Sequence, residues 1–388
     1  MIATKSLRDR VRGYYRAIAT GDAIAGATET FSPEQILDHY GAPVDGIVSV
    51  MPPTTPRARL SPNVKGGGRI TDDTLLTLVL AEIYQEKRRH LDAFDMAESF
   101  VSKIADEVRW IPERSASQPL VDRLHYPEKW LVARLRFGGV DPREAGVGNV
   151  VNCGAAMYIG PVGIVNAGEP EAAYAEAIDL SSAHQSSYGR EAAGVLAAAI
   201  ASAFAPDASP RSVVSAALAH AHDGTKAAIE AVAAAVTKRH GDAPRVIRMA
   251  VSGFDSVGDD YLNPLPDARK PSRVCSIEEL PVALGIVLAT DGDARDAILM
   301  AANYGRDSDS VAVMAGGICG GLGGANSVPQ DWINEVEHAS RLDLDRLADS
   351  LTDAALDIMR DDLARATARA GRLANHLTPG QKAHHITP

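Results

Sequence analysis

Four segments follow one another with short breaks: Glu171–Gln185 (EAAYAEAIDLSSAHQ), Ala192–Phe204 (AAGVLAAAIASAF), Arg211–His222 (RSVVSAALAHAH) and Thr225–His240 (TKAAIEAVAAAVTKRH). Each is rich in alanine, the strongest helix former, and places its apolar residues at helical rather than alternating spacing. Working outward, helices are predicted over residues 5–27, from Thr71 through Ile83, and over 91–107, 129–136, 277–288, 293–302, 310–324 and 330–373. The segments 30–70, 138–148 and 255–275 are rich in Pro, Gly and polar residues and read as loops. No segment sustains an alternation of period two. With aromatic residues at only 5%, the expectation is an all-α protein of closely packed helices.

The 388 residues suffice for a large core, and 46% hydrophobic content suits a globular protein. A formal net charge of −11 argues against a non-specific nucleic-acid binder. Cys153, Cys275 and Cys319 are far apart and form no CxxC, so a disulfide framework or zinc site is not expected and a reducing cytoplasm is the default location. The N-terminal stretch has no apolar signal core. The longest strongly apolar stretch, Ala192–Ala205, falls short of the roughly 20 residues a membrane span needs and reads as a buried helix.

Two acidic clusters carry the chemistry. Thr71-Asp72-Asp73-Thr74 follows Gly66-Gly67-Gly68, and Asp307-Ser308-Asp309-Ser310 follows Tyr304-Gly305-Arg306. Each sets two carboxylates and two hydroxyls at the predicted start of an apolar helix. One reading is a pair of helix caps, with Thr71 capping its helix and Arg306 neutralising the second cluster. The other is a shared set of hard oxygen ligands for Mg²⁺, Mn²⁺ or Ca²⁺. Asp22 lies among small apolar residues, where a carboxylate needs a partner, and Glu29 sits where the first helix exits. The glycines of Ser310–Gly324 imply very close approach of a neighbouring helix, and residues 5–27 carry a small-residue face (Gly13, Ala17, Gly21, Ala25). His184 is either a core histidine or a ligand contact. The triple glycine is not followed by GK[ST], so it is a weak phosphate-loop signal.

In order, Gly21-Asp22-Ala23 with Glu29, Thr71 to Thr74, Asn152 to Met157 with Pro161-Val162-Gly163, His184, Asn303 to Ser310 and Val328 to Trp332 resemble the motifs of the ADP-ribosylglycohydrolase family. The resemblance spans about residues 8 to 335. It implies a compact single-domain orthogonal helical bundle over residues 1–375, with a flexible tail at 376–388. It also implies two Mg²⁺ ions (Mn²⁺ or Ca²⁺ as substitutes) held by Thr71, Asp72, Asp73, Asp307, Asp309 and Ser310. Glu29, Asp72 and Asp309 would be catalytic; Asn152, Gly154, His184 and Tyr158 would line the ribose pocket. The implied activity is hydrolysis of a bond at C1 of a ribose, with an ADP-ribosylated acceptor or a ribose-containing small molecule as partner and no nucleic acid or membrane. A small nucleoside or nucleotide substrate, and a silent ADP-ribose binder, are the alternatives. Ser308 and Ser310 replace the usual threonines, Arg306 a common glycine, and Tyr158 a frequent arginine, the natural phosphate reader.

Overall fold

The computed structural model describes residues 5–49, 63–238, 242–254, 277–374 and 376. The loop expected at 255–275, the tail from Leu377 and Cys275 lie outside them. The first helices are α1 (Leu7–Ala25), α2 (Pro33–Tyr40) and α3 (Asp72–Lys87). Then come α4 (Ala93–Asp95), a π-turn at Met96–Phe100 and α5 (Val101–Ala105), which together make the helix expected at 91–107. A hairpin of β1 (Val108–Ile111) and β2 (Ala116–Pro119) leads into α6 (Leu120–Arg123) and α7 (Tyr126–Leu131). The longer elements that follow are helices: α8 (Gly160–Val165), α9 (Pro170–Ser181), α10 (Ser187–Ala203), α11 (Pro210–His220), α12 (Asp223–Lys238), α13 (Ala243–Val251) and α14 (Glu279–Ala289). The chain closes with α15 (Ala294–Tyr304), α16 (Ser308–Gly323), α17 (Gln330–Ser340) and α18 (Leu344–Ala374). The all-α expectation holds, with the hairpin a local exception among the described residues. Its four-residue strands, Val108 paired to Pro119 and Ile111 to Ala116, are too short to register as alternation.

The loop expected over 30–70 is also partly helical. Ser32 accepts from the Gln35 N–H at 3.2 Å while Gln35 Oε1 accepts from the Ser32 N–H at 2.8 Å, a capping box that starts α2 with Pro33 in its first turn. Gly41, at φ 75°, ends it.

The centre of the molecule is the crossing of α1 and α16. A Cβ on Gly13 would lie 2.2 Å from the Gly320 carbonyl oxygen, and one on Gly320 would lie 2.3 Å from that of Gly13. The two backbones touch, as the small-residue faces predicted, and dispersion across this seam offsets the roughly 1 kcal/mol each helical glycine costs. On its other side α1 is tied antiparallel to α18. Arg12 grips Asp349 at 2.8 and 2.7 Å, and Arg16 grips Asp345 at 2.9 and 2.8 Å. Buried Arg10 donates to the carbonyls of Ala203 and Gly321, at 3.0 and 3.2 Å, joining the ends of α10 and α16. Among the described residues no helix is long and apolar enough to cross a membrane.

Candidate active site

Each acidic cluster does start a helix, yet neither N-cap side chain caps it; in the second cluster Asp309 Oδ1 takes the Ser310 N–H at 3.2 Å. Thr71 occupies the N-cap position of α3 without a side-chain cap bond, and Asp307 does the same on α16. This corrects the expected threonine cap: the cap of α3 comes from α1. Asp22, fully buried, accepts the Thr71 N–H at 3.1 and 3.0 Å, the Thr74 N–H at 3.1 Å and the Thr74 hydroxyl at 2.5 Å. A carboxylate at a helix N-terminus satisfies orphan donors and the helix dipole together. Thr71 Oγ1 is then free to donate to Asp73 Oδ2 at 3.3 Å.

The second cluster is fixed to the exit of α1. Ser308 Oγ donates to the Ala25 carbonyl at 2.9 Å and lies 3.1 Å from Thr28 Oγ1. The Thr30 N–H donates to the Arg306 carbonyl at 2.6 Å, and the Arg306 N–H to the Phe31 carbonyl at 2.8 Å. Thr30 (φ 73°) and Arg306 (φ 63°) are both held in the left-handed region, beside Glu29 and Asp307 respectively. Such backbone costs roughly 1–3 kcal/mol per residue and persists only where its surroundings impose it. The Arg306 guanidinium pairs with Glu278 at 3.2 Å.

The result is a cavity of about 150 Å³ lined by Glu29, Lys65, Asp72, Asp73, Arg123, His125, Pro127, Glu128, Asn152, Cys153, Met157, Asp307, Asp309 and Ser310. Glu29, Asp307 and Asp309 each bring an oxygen within 4.8 Å of the others. Cys153 Sγ lies 3.1 Å from Asp307 Oδ2 and 3.5 Å from Ser310 Oγ. Burial, followed by the charges of Asp309, Asp22, Asp72 and Asp307, pushes the Asp73 carboxyl well above its usual range. Burial and then Asp309 push Asp307 up to about 7. Asp72 is held low: against its burial, the Arg123 guanidinium beside it keeps it ionised, while Arg123 also pairs with buried Glu113. Asp73 Oδ1 is buried without a hydrogen-bond partner among the described residues. Crowded carboxylates and an orphaned buried oxygen on a residue that lines a polar cavity fit a divalent cation and are poor as a free-standing arrangement. The donors are hard oxygens, which suit Mg²⁺, Mn²⁺ or Ca²⁺.

The residues expected in the ribose pocket divide into two layers. Asn152 lines the cavity, its Oδ1 accepting from the Gly154 N–H at 3.0 Å and from Gln185 Nε2 at 2.8 Å. Gly154 is closely packed: a Cβ there would lie 2.7 Å from Glu128 Oε1 and 2.9 Å from Asn152 Oδ1, so those side chains would have to shift. His184 and Tyr158 are fully buried and do not line the cavity. The His184 ring stacks on Tyr158 at 5.8 Å, and Tyr158 on Phe100 at 5.2 Å. His184 Nε2, 3.1 Å from the Pro127 carbonyl, must donate to it; Nδ1 therefore accepts from the Tyr158 hydroxyl at 2.9 Å. Burial lowers the His184 pKa to about 4, so the ring is neutral.

The sequence of the family described as ADP-ribosylglycohydrolase matches residues 3–360, nearly the whole chain. The chain belongs to the ADP-ribosylglycohydrolase family. It is 24% identical over 345 residues to the uncharacterized protein YegU of Escherichia coli (strain K12), covering 88% of this chain and 96% of that one. It is 26% identical over 355 residues to the ADP-ribosylarginine hydrolase Tri1 of Pseudomonas putida (strain GB-1), covering 89% and 79%. A solved ADP-ribosylglycohydrolase-related protein complex shares the fold, with a TM-score of 0.53 at 19% identity over 90% of this chain and 99% of that one. Membership makes the chain one of a family of hydrolases.

Lys65, Arg123, His125, Glu128 and Cys153 line the site without having been singled out as site residues in the sequence. Lys65, directly before the triple glycine, has a local signal. Cys153 lies inside the Asn152–Met157 motif, whereas Arg123, His125 and Glu128 carry no motif of their own and are brought in by tertiary packing. Burial first, and Asp72 second, raise the Glu128 carboxyl to about 8.

Proposed function

We propose that this chain hydrolyses a glycosidic bond at C1 of a ribose in a divalent-metal-dependent reaction, removing ADP-ribose from an acceptor. The observation that carries this reading is that both acidic clusters stand at helix N-termini whose N-cap side chains make no cap bond, and that both face one cavity. Asp73, Asp307 and Asp309, with the Thr71 and Ser310 hydroxyls, are the residues that would hold the metal. When bound, a divalent ion supplies positive charge that orients ribose hydroxyls and acidifies water.

The protein's own groups supply the rest. Breaking the bond at C1 leaves an oxocarbenium-like centre, which the ring of carboxylates stabilises by charge. Glu29, half-exposed at the cavity edge, is placed to take the proton of the attacking water. Glu128, still protonated at neutral pH, is placed to hold a proton for the leaving group. Asn152 and Gly154 shape the wall against which the ribose lies, and the His184–Tyr158 stack fixes that wall from behind.

A second reading, hydrolysis of a small nucleoside, draws support from the cavity's charges. Lys65 and Arg123 line it, and both are committed to carboxylates, leaving no uncommitted lysine or arginine among the described lining residues to read a diphosphate. Titration calorimetry of EDTA-treated protein separates these readings. Mg²⁺ binding followed by tight ADP-ribose binding supports the first, and preference for an unphosphorylated nucleoside supports the second. Asp309→Ala should abolish turnover and weaken Mg²⁺ binding while the circular dichroism stays helical; near-normal turnover in that variant rejects the metal-dependent mechanism.

A further inference from the structure

We propose that Lys65 is a built-in cation filling one half of the acidic cavity, so that the chain takes one divalent ion where its oxygen ligands suffice for two. The proposal rests on the metal-dependent reading above. Lys65 Nζ pairs with Glu29 and lies 3.3 Å from Asp309 Oδ2. Glu29 and Asp309 are two of the three carboxylates that converge within 4.8 Å, so the ammonium competes for the ligand set a second ion requires.

The backbone holds Lys65 in that position. The Val64 N–H donates to the Glu113 carbonyl at 2.8 Å, and the Gly67 N–H to the Val48 carbonyl at 2.7 Å. Gly66, Gly67 and Gly68 have φ of 83°, 61° and 73°, three consecutive left-handed residues that only glycine adopts freely. A Cβ at Gly66 would lie 2.7 Å from the Ser49 carbonyl oxygen. The triple glycine thus turns the chain so that Lys65 points into the cavity a few residues before the α3 carboxylates. A tethered, pre-positioned ammonium acts at an effective concentration in the millimolar range or above. It also carries one charge where an ion carries two, with three donors that match carboxylate oxygens. Arg123 does the same for Asp72, so the ligands left for one ion are Asp73 and Asp307, with Asp309 shared between that ion and Lys65.

The test counts Mn²⁺ bound per chain by titration calorimetry and electron paramagnetic resonance. The wild type should bind one Mn²⁺, and Lys65→Met, which keeps the stem and removes the charge, should bind two. Lys65→Arg, which restores a charge, should bind one, and circular dichroism checks that each variant is folded. Two Mn²⁺ in the wild type, or one in folded Lys65→Met, overturns the proposal while leaving the metal-dependent reading intact. No Mn²⁺ in either protein overturns both. If Lys65→Met does not fold, the wild-type count decides alone.

Discussion

Replacing Gly320 by alanine tests whether the α1–α16 seam holds the molecule together. The new Cβ would lie 2.3 Å from the Gly13 carbonyl oxygen, 2.8 Å from the Gly13 carbonyl carbon and 2.6 Å from Ala17 Cβ. Two of these atoms are backbone, so no rotamer change relieves the contact, and the helices must separate by about 1 Å. Overpacking of this kind costs about 1–3 kcal/mol, here towards the upper end. Alanine recovers about 1 kcal/mol of helix propensity, leaving a net loss of about 1–2 kcal/mol. Unfolding entropy of about 2.1 cal/mol/K per residue gives roughly 0.8 kcal/mol/K for 388 residues, so Tm should fall by about 1–3 °C. Gly371→Ala, in α18 with nothing within 4 Å, is the control and should raise Tm by about 1 °C. Gly13→Ala strains the same seam, so the double variant with Gly320→Ala should lose less than the sum of the two, since one separation accommodates both. Scanning calorimetry reads the four variants against the wild type. A Gly320→Ala protein as stable as Gly371→Ala, or strict additivity in the double variant, refutes the close-contact account.

The other predictions concern charge. Glu29→Gln should lower kcat by about 10²-fold or more, the size of a lost acid–base group, and an unchanged rate removes Glu29 from the proton transfers. His90 bonds Glu176 at 2.6 Å and Asp362 at 3.0 Å, and the Glu176 bond, against partial burial, raises it to about 9. Because the folded pKa lies above the unfolded value of about 6.5, this stabilisation is complete below about pH 6.5 and disappears as pH rises through 9. Discounted for the exposure of the ring, the wild type should therefore lose on the order of 1–2 kcal/mol relative to His90→Gln between pH 6 and 9.5. Parallel urea-midpoint profiles for the two proteins across that range would contradict it.

Much of this architecture is legible from local signals. The alanine-rich helices announce themselves because propensity and periodicity agree over whole turns. The seam was legible in the matching small faces of residues 5–27 and 310–324, since glycine inside a helix implies a close neighbour. Helix α2 carried its own signature in Ser32, Pro33 and Gln35 but was hidden by the proline-rich chain around it. The hairpin carried none. In the site, Asp72, Asp73, Asp307 and Asp309 stood out because two acids in three residues before an apolar helix are conspicuous. Arg123 and Glu128 were illegible because a lone charge in a mixed segment looks the same whether solvated or buried. Their role depends on α6 and α7 being carried to the start of α3, where Arg123 meets Asp72. Tyr158 and His184 were recognised by position, but their burial is a tertiary fact.

The capping of α3 explains why the site stays open to a ligand. A helix beginning Thr-Asp-Asp would ordinarily use its own threonine hydroxyl and first-turn acids to satisfy its N-terminus. Here Asp22 reaches across from α1 and takes the Thr71 and Thr74 donors. At α16 Ser308 turns back onto the Ala25 carbonyl, again a contact to α1. One helix therefore caps α3 in place of its own threonine, pins the start of α16, and sets the distance between the two clusters through the glycine seam. The carboxylates that remain cannot lower their repulsion by moving apart, because the backbone at Thr30, Arg306 and Gly66 to Gly68 is held in conformations that specific bonds impose. Their repulsion is relieved by cations instead. Arg123 and Lys65 supply two from within the chain, and Asp73 and Asp307 are where a third is most needed.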